Sequence, residues 1–276
     1  MTDVRVVLVT QVPPVAHGHT ELLRALGHEP VALLCTREGA DHPESMFDAL
    51  VRQAPEGLDV VIPATRAGLA PLVRLYEPDL LLCTGFPWKI PPDTLRVPRL
   101  GAVNGHPSLL PRYRGPIPVA WAIRNGETSV GYTFHYMDAE LDTGAILAQE
   151  PFPLGDEYSW EELAPKLMDC VRQLLPRALA RVADGDPGDP QPEGAGEYFS
   201  FFESEYAWID WSRPADEIHR QVRAWRFGSS GNGEKGALTE LDGEAIRVLR
   251  TSLEPADGRE LQTGDGKLWI TETEPP

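Results

Sequence analysis

The chain has 276 residues, of which 42% are hydrophobic and 24% are charged, and its formal net charge at pH 7 is −17. This composition is typical of a globular protein with a sizeable core, either one large domain or one domain with a smaller appendage. The acidic balance disfavours nucleic-acid binding, because phosphate backbones are bound by basic surfaces.

The first part of the chain alternates strand-like and helix-like segments. Residues 4–9 form an apolar, β-branched run, and four more runs follow in PVALLCT, LDVVIPAT, DLLLCTGF and RLGAVNGHPS. Apolar residues at helical spacing separate them in HTELLRAL, MFDALVRQ and LAPLVRLYEP. This order predicts an α/β fold with a Rossmann-like, mostly parallel sheet.

The segment after the first strand, TQVPPVAHGH, lacks the glycine fingerprints of nucleotide sites. We therefore do not expect a bound dinucleotide. Ligands of such sheets lie at the carboxyl ends of the strands, where GFPWKIPP and NGHPS fall. These two segments are the first places to search for a site.

The next segments complete the sheet and lead to a second domain. A helix is predicted in PIPVAWAIRNGE, strands in SVGYTFHYMD and GAILAQEPFPL, and a long helix after the capping box Ser159–Glu162. Pro176 is expected to kink that helix. Residues 184–197 are rich in Pro, Gly and acid and predict a linker. We thus expect a catalytic domain at 1–183 and a smaller, β-rich C-terminal domain at 198–276.

A dense cluster of polar residues lies between positions 104 and 144. Asn104 and His106 are two residues apart at a strand end, so their side chains can face one cleft. Asp142 follows in the loop after the next strand. Such a trio is suited to acyl transfer. The imidazole accepts a proton from an amine, the carboxylate orients the imidazole and stabilises its protonated form, and the amide stabilises an oxyanion. Spacing alone leaves open a loop histidine and a turn-forming aspartate.

The surrounding pattern resembles the superfamily of 10-formyltetrahydrofolate-dependent formyltransferases. Its motif, N-x-H-x-SLLP-x-x-RG followed by a helix, a strand and a D-x-x-x-DTG loop, is matched by Asn104, His106, Ser108–Pro111, Arg114–Gly115 and Leu141–Gly144. The segment IDWSRPADEIHRQVRAW is similar to the opening of the C-terminal domain of methionyl-tRNA formyltransferases. The resemblance therefore covers most of the chain.

This resemblance implies a co-substrate, 10-formyltetrahydrofolate, and a catalytic trio of Asn104, His106 and Asp142. Arg114 and Ser108 are expected to border the cleft, and we interpret Arg114 as a loop organiser and not as a catalyst. The pterin is expected between the segment after the fourth strand and the loop that precedes Asp142. The residues expected to line that slot are Phe86, Pro87, Trp88, Lys89, Ile90, Met137, Asp138, Ala139, Glu140 and Leu141.

The resemblance also implies that the acceptor is a primary amine. The charge of the second domain helps to decide between an amine on tRNA and a small amine. Members of the superfamily that act on initiator tRNA use a basic second domain, whereas residues 205–276 hold nine Lys and Arg against 14 Asp and Glu. Arg220, Arg223 and Arg226 could form a local basic patch on one helix, with an ordinary solvated helix face as the alternative. The second domain also looks shorter than in the tRNA enzymes.

We therefore expect a small or carrier-bound acceptor, such as an amino sugar nucleotide or a hydroxyornithine-like amine. Methionyl-tRNA as acceptor is disfavoured but stays open. A formyltetrahydrofolate hydrolase, which shares the trio, and a folate-binding module without activity stay open as well. His135 alternates along its strand with Thr133 and Met137 and is a further residue that can face the cleft.

No metal or membrane association is expected. His17 and His19 have no third ligand nearby in sequence, and no apolar run approaches the roughly 20 residues of a membrane span. The start of the chain lacks the features of a signal peptide. Three widely spaced cysteines are expected to be buried small hydrophobic residues, so the sequence predicts a cytoplasmic protein.

Overall fold

The structure is a computed structural model that describes residues 3–37, 46–157, 159–192, 194–228 and 236–276. Seven strands form its larger sheet: β1 (Arg5–Val9), β2 (Glu29–Leu34), β3 (Asp59–Val61), β4 (Leu80–Cys83), β5 (Ala102–His106), β6 (Ser129–Tyr136) and β7 (Ile146–Pro153). All seven predicted strands are present. Their order is β3-β2-β1-β4-β5-β6-β7.

The sheet is mostly parallel, as predicted, with one reversal that matters for the site. Strand β1 pairs in parallel with β2 and β4, and β4 pairs in parallel with β5. Strand β6 then pairs with β5 in the antiparallel sense. The first residues of β5 therefore lie opposite the carboxyl end of β6, which leads into the next loop, and His106 at the end of β5 lies opposite Thr133 in the middle of β6.

Seven α-helices accompany the strands. They are α1 (Pro13–Ala25), α2 (Met46–Arg52), α3 (Leu69–Arg74), α4 (Pro92–Leu95), α5 (Pro118–Arg124), α6 (Trp160–Ala183) and α7 (Ala215–Gly228), counted over the described residues. Helix α6 runs without a break through Pro165 and Pro176. The predicted cap is present, since the amide N–H of Glu162 donates to Oγ of Ser159 at 3.2 Å. None of the helices in the described ranges is both long enough and apolar enough to cross a membrane.

The central strands are almost fully buried, which explains their unbroken apolar sequences. The core cluster beside β1, β2 and β4 includes Val7, Leu34, Leu81 and Cys83. Cys35, Cys83 and Cys170 are all free and buried, as predicted. Burial raises the pKa of the Cys35 thiol to about 11 and that of Cys83 to about 12, so these thiols stay protonated and unreactive at pH 7.

The chain divides into two compact units. The first comprises residues 1–114, 131–151 and 166–197, and the second comprises 115–130, 152–165 and 198–276. Most of the predicted linker, residues 184–192 and 194–197, thus belongs to the first unit, while Glu193 lies outside the described residues. The predicted domain boundaries stay predictions.

The second unit contains the expected small antiparallel sheet. Its strands are β8 (Ala237–Leu241), β9 (Glu244–Ser252), β10 (Arg259–Gln262) and β11 (Lys267–Glu274), in the order β10-β11-β9-β8. Helix α7 contributes Ile218, Val222 and Trp225 to a core that also holds Val248 and Leu268 of the sheet.

Arg220 and Arg223 of α7 have partners within the second unit. Arg223 is buried, with 8% of its surface exposed, and its guanidinium donates to the backbone carbonyls of Gly155 and Glu157. Arg220 donates to the carboxylate of Asp216 one turn earlier. Both predictions for these arginines, a local basic patch and a solvated helix face, are therefore wrong for Arg223, because the backbone at Gly155 and Glu157 covers its charge.

Candidate active site

The end of β5 and the facing part of β6 carry the predicted catalytic side chains. Asn104 lies opposite His135 in this antiparallel pair, and His106 lies opposite Thr133. Residues two apart on a strand share a face, and so do directly opposed residues of paired strands. The pairing therefore brings Asn104 and His106 together, as expected, and places His135 beside them.

Asp142 returns to the same place in the loop after β6. Its Oδ1 lies 3.4 Å from Nδ2 of Asn104, 3.7 Å from Nδ1 of His106 and 3.7 Å from Nε2 of His135. One carboxylate oxygen is thus the meeting point of an amide and two imidazoles. The structure assembles the predicted trio, whose catalytic role stays a prediction.

The tautomer of His106 follows from its backbone partner. Nε2 lies 2.9 Å from the carbonyl oxygen of Tyr113, which can only accept, so Nε2 carries the hydrogen. In the neutral ring Nδ1 is then the basic atom, and it faces Asp142. A proton taken up at Nδ1 therefore arrives next to a carboxylate, in a side chain that is only 6% exposed.

His135 is closer to the centre of the site than the sequence indicated. Its Nδ1 donates to the carbonyl oxygen of Tyr136 at 2.8 Å, which leaves Nε2 to accept from Nδ2 of Asn104 at 3.2 Å. Burial lowers the pKa of His135 to about 4, so this ring is neutral at pH 7. His135 can therefore orient the Asn104 amide without adding charge to the site.

The two segments predicted to hold the pterin also lie together. Nζ of Lys89 is 3.3 Å from Oε2 of Glu140, and this ion pair joins the segment after β4 to the loop after β6. Phe86, Trp88 and Met137 are partly buried against one core cluster. Ile90 is buried within that cluster, whereas the other predicted slot residues are exposed: Pro87, Lys89, Asp138, Ala139, Glu140 and Leu141.

A residue that the sequence did not single out holds the Asp142 loop. Nε2 of Gln191 donates to the carbonyl oxygens of Asp142 and Gly144 at 2.9 and 2.8 Å. Its Oε1 accepts from Nε and Nη2 of Arg114 at 3.2 and 2.6 Å. Arg114 is thus connected to the Asp142 loop through a residue of the predicted linker, and its role as a loop organiser stays a prediction.

The two histidines that follow β1, His17 and His19, both lie in α1. His17 contacts the backbone carbonyl of Gln53, and His19 is buried, with its pKa lowered to about 4 by that burial. Over the described parts of the chain, no group of three or more His, Cys, Asp or Glu side chains is arranged to hold a metal ion.

Comparison with known protein families identifies the family of this chain. Residues 3–179 match the family described as formyl transferase, and residues 202–276 match the formyl transferase C-terminal domain. This chain belongs to the formyl transferase family. A methionyl-tRNA formyltransferase from Acidiphilium cryptum is 35% identical over 250 residues, which cover 86% of this chain and 77% of that protein. For several other curated relatives, the match spans only about half of their length.

Solved structures show the same fold at low sequence identity. HypX from Aquifex aeolicus, in complex with tetrahydrofolic acid, matches with a TM-score of 0.69 and 20% identity over 99% of this chain and 44% of that one. A sugar N-formyltransferase from a Shewanella species matches with a TM-score of 0.65 and 20% identity, over 92% of this chain and 99% of that one. These likenesses support the fold alone.

Proposed function

We propose that this formyl transferase family member moves the formyl group of 10-formyltetrahydrofolate to a primary amine. The observation that carries the proposal is the convergence of Asn104, His106 and His135 on one oxygen of Asp142. An acyl transfer needs a proton acceptor, a charge partner for it and an oxyanion donor. The positions of His106, Asp142 and Asn104 support the assignment of these three roles to them.

In the first step, the amine nitrogen attacks the formyl carbon and the carbonyl bond becomes a C–O⁻ single bond. The attacking nitrogen gives its proton to Nδ1 of His106, whose imidazolium is then stabilised by Asp142. The negative oxygen is stabilised by an N–H of Asn104. One such donor is worth about 3 kcal/mol in comparable sites. We expect the formyl oxygen to replace the longer of the two amide contacts, the 3.4 Å contact with Asp142.

In the second step, the C–O⁻ bond reforms the carbonyl and the bond between the formyl carbon and N10 of the folate breaks. His106 returns its proton to N10, so the products are a formamide and tetrahydrofolate. The imidazole ends neutral and ready for another cycle. No step needs an oxidant, a reductant or a metal.

We propose a small or carrier-bound amine as the acceptor, such as an amino sugar nucleotide or a hydroxyornithine-like amine. Acidic residues outnumber basic residues between positions 205 and 276, by 14 to nine. The contacts of Arg220 and Arg223 within the second unit further reduce the charge that α7 could offer to a phosphate backbone. Both observations favour a small acceptor over tRNA.

The test offers isotope-labelled 10-formyltetrahydrofolate to the purified protein with a panel of amines that includes sugar nucleotides and methionyl-tRNA. Labelled products are identified by mass, and tetrahydrofolate release is followed in parallel. We expect a labelled formamide from a small amine, and loss of that product in His106→Gln. His106→Gln keeps the size of the side chain but lacks a base of suitable strength.

Three results would contradict parts of the proposal. Formate release at the same rate without any amine would identify a hydrolase. Efficient formylation of methionyl-tRNA with a steep salt dependence would overturn the preference for a small acceptor. No turnover of the folate with any acceptor would remove the proposed activity itself.

A further inference from the structure

We propose that Gln191 is a positioning residue for the Asp142 carboxylate. This inference rests on the proposed function, because it assigns Gln191 a role in the same formyl transfer. Gln191 lies after α6, in the segment whose composition predicted a linker. Its carboxamide bridges the Asp142 loop and Arg114.

The direction of the Gln191 amide is fixed by its partners. Both hydrogen bonds from Arg114 arrive at Oε1, since a guanidinium can only donate. The –NH₂ group is therefore turned towards the loop, where its two hydrogens go to the carbonyl oxygens of Asp142 and Gly144. A carboxamide is suited to this position because it accepts on one side and donates twice on the other.

The Asp142 loop needs such a support. Asp142 has a φ of +59°, in the left-handed region that costs a non-glycine residue about 1 kcal/mol or more. The contacts of its carboxylate with Asn104 and the two imidazoles are 3.4–3.7 Å long, whereas Gln191 binds its backbone carbonyl at 2.9 Å. The shorter hydrogen bond therefore holds the backbone from which the carboxylate projects towards the two imidazoles.

The segment that carries Gln191 is itself anchored to the first unit. Asp189 exchanges two backbone hydrogen bonds of 2.8 Å with Ile146 at the start of β7. Arg181 of α6 pairs with Asp186 and Asp189 at 2.7 and 2.8 Å, and its hydrogen bonds, together with its charge, hold the pKa of both carboxyls below their usual range. Gln191 thus reaches the loop from a backbone that is fixed two residues away.

The test compares Gln191→Glu and Gln191→Met with the parent enzyme, by steady-state kinetics on the full chain. The glutamate keeps the side-chain size and the Arg114 partner but turns a carboxylate towards two carbonyl oxygens; the methionine removes every hydrogen bond. We expect kcat to fall about 10- to 100-fold in both variants, as for other supports of active-site residues. KM for the folate should stay within about twofold, because the folate slot is not altered.

A matched control separates positioning from general destabilisation. Gln221 of α7, in the second unit, also donates from Nε2 to two backbone carbonyls, those of Tyr206 and Trp208. Gln221→Glu should lower the midpoint of thermal unfolding but leave kcat at the parent value. A loss of kcat in Gln221→Glu equal to that in Gln191→Glu would overturn the positioning role.

A double variant tests whether Gln191 acts through Asp142. If it does, Gln191→Glu should change kcat by less than about twofold in an Asp142→Asn background, because contacting residues in one pathway are not additive. A full, multiplicative loss in that background would contradict the inference, as would parental kcat in both Gln191 variants. An inactive parent would instead remove the proposed function, so the two failures are distinguishable.

Discussion

Asp142 supplies the carboxylate that lies within 4 Å of both imidazoles of the candidate site. We predict that Asp142→Asn reduces kcat by about 10³-fold, because the protonated His106 loses its charge partner while the shape of the loop is kept. Folate binding should be nearly unchanged, since the carboxylate is assigned to the chemistry. The measurements are steady-state kinetics and a folate titration of each protein.

The control for this variant is Asp210→Asn. Asp210 also accepts hydrogen bonds, from the amide and hydroxyl of Ser212, but it lies in the second unit before α7. It should keep the parental kcat. Comparable rates for Asp142→Asn and the parent would remove Asp142 from the proposed chemistry.

At single positions, the role of a residue can be predicted from the sequence where its type and its surrounding motif leave few alternatives. Asn104, His106 and Asp142 could be predicted to meet because the motif around them resembles that of the formyltransferase superfamily, since their spacing alone left a loop histidine and a turn-forming aspartate open. The role of His135 could not be predicted from the sequence, because it depends on which residue of β5 lies opposite His135. Nor could the burial of Arg223, because that arginine is covered by the backbone at Gly155 and Glu157, far away in sequence.

At the scale of elements, the loop between β6 and β7 is shaped by one glycine. A Cβ atom added to Gly144 would lie 1.8 Å from the carbonyl oxygen of Tyr136 at the end of β6. We predict that Gly144→Ala displaces the loop and reduces kcat at least ~10-fold, because catalytic groups tolerate only small displacements. Kinetics would show this while circular dichroism confirms that the protein is folded.

Gly266→Ala is the matched substitution for Gly144→Ala. Gly266 lies in the turn before β11, and a Cβ there would meet no atom within 4 Å. The kcat of Gly266→Ala should therefore equal that of the parent. If Gly144→Ala were as active as Gly266→Ala, the tight contact with Tyr136 would not be needed to place Asp142.

Most elements were predictable because their sequences carry strong periodic patterns. The buried strands are continuous apolar runs, and α6 begins at a recognisable cap. Strand β10 (Arg259–Gln262) was not predicted, since its residues are mostly exposed and leave no hydrophobic pattern. The antiparallel direction of β6 could not be predicted either. The pattern of apolar residues is the same for a buried strand that runs in either direction.

At the scale of the whole molecule, the predicted linker shows what composition cannot reveal. Pro, Gly and acidic residues between positions 184 and 197 are typical of an exposed connection. The acids at 186 and 189 nevertheless pair with Arg181, and Gln191 binds the Asp142 loop. These contacts depend on residues brought together only by the complete sheet, so the fold can be read from local patterns but the support of the site cannot.

Three histidines in different parts of the molecule are neutral at pH 7: His19 and His135 are buried, and His219 is half-buried. Burial lowers the pKa of His19, His135 and His219 to about 4 each, from 6.5 in an unfolded chain. Between pH 6.5 and 4 the unfolded chain therefore binds protons that the folded chain does not. Stability is fully present above pH 6.5 and declines as the pH falls through this window.

We predict that the free energy of unfolding decreases between pH 6.5 and pH 4.5, by up to about 1.4 kcal/mol per pH unit for each such histidine. His19→Leu should make this decrease shallower, because a leucine of similar size takes up no proton when the chain unfolds. His19 is a suitable choice because it packs beside Phe134 and is not one of the residues around Asp142. Urea unfolding at several pH values measures the slope, which separates protonation from any pH-independent packing cost of the substitution. Equal slopes for His19→Leu and the parent would mean that His19 does not take up a proton on unfolding in this window.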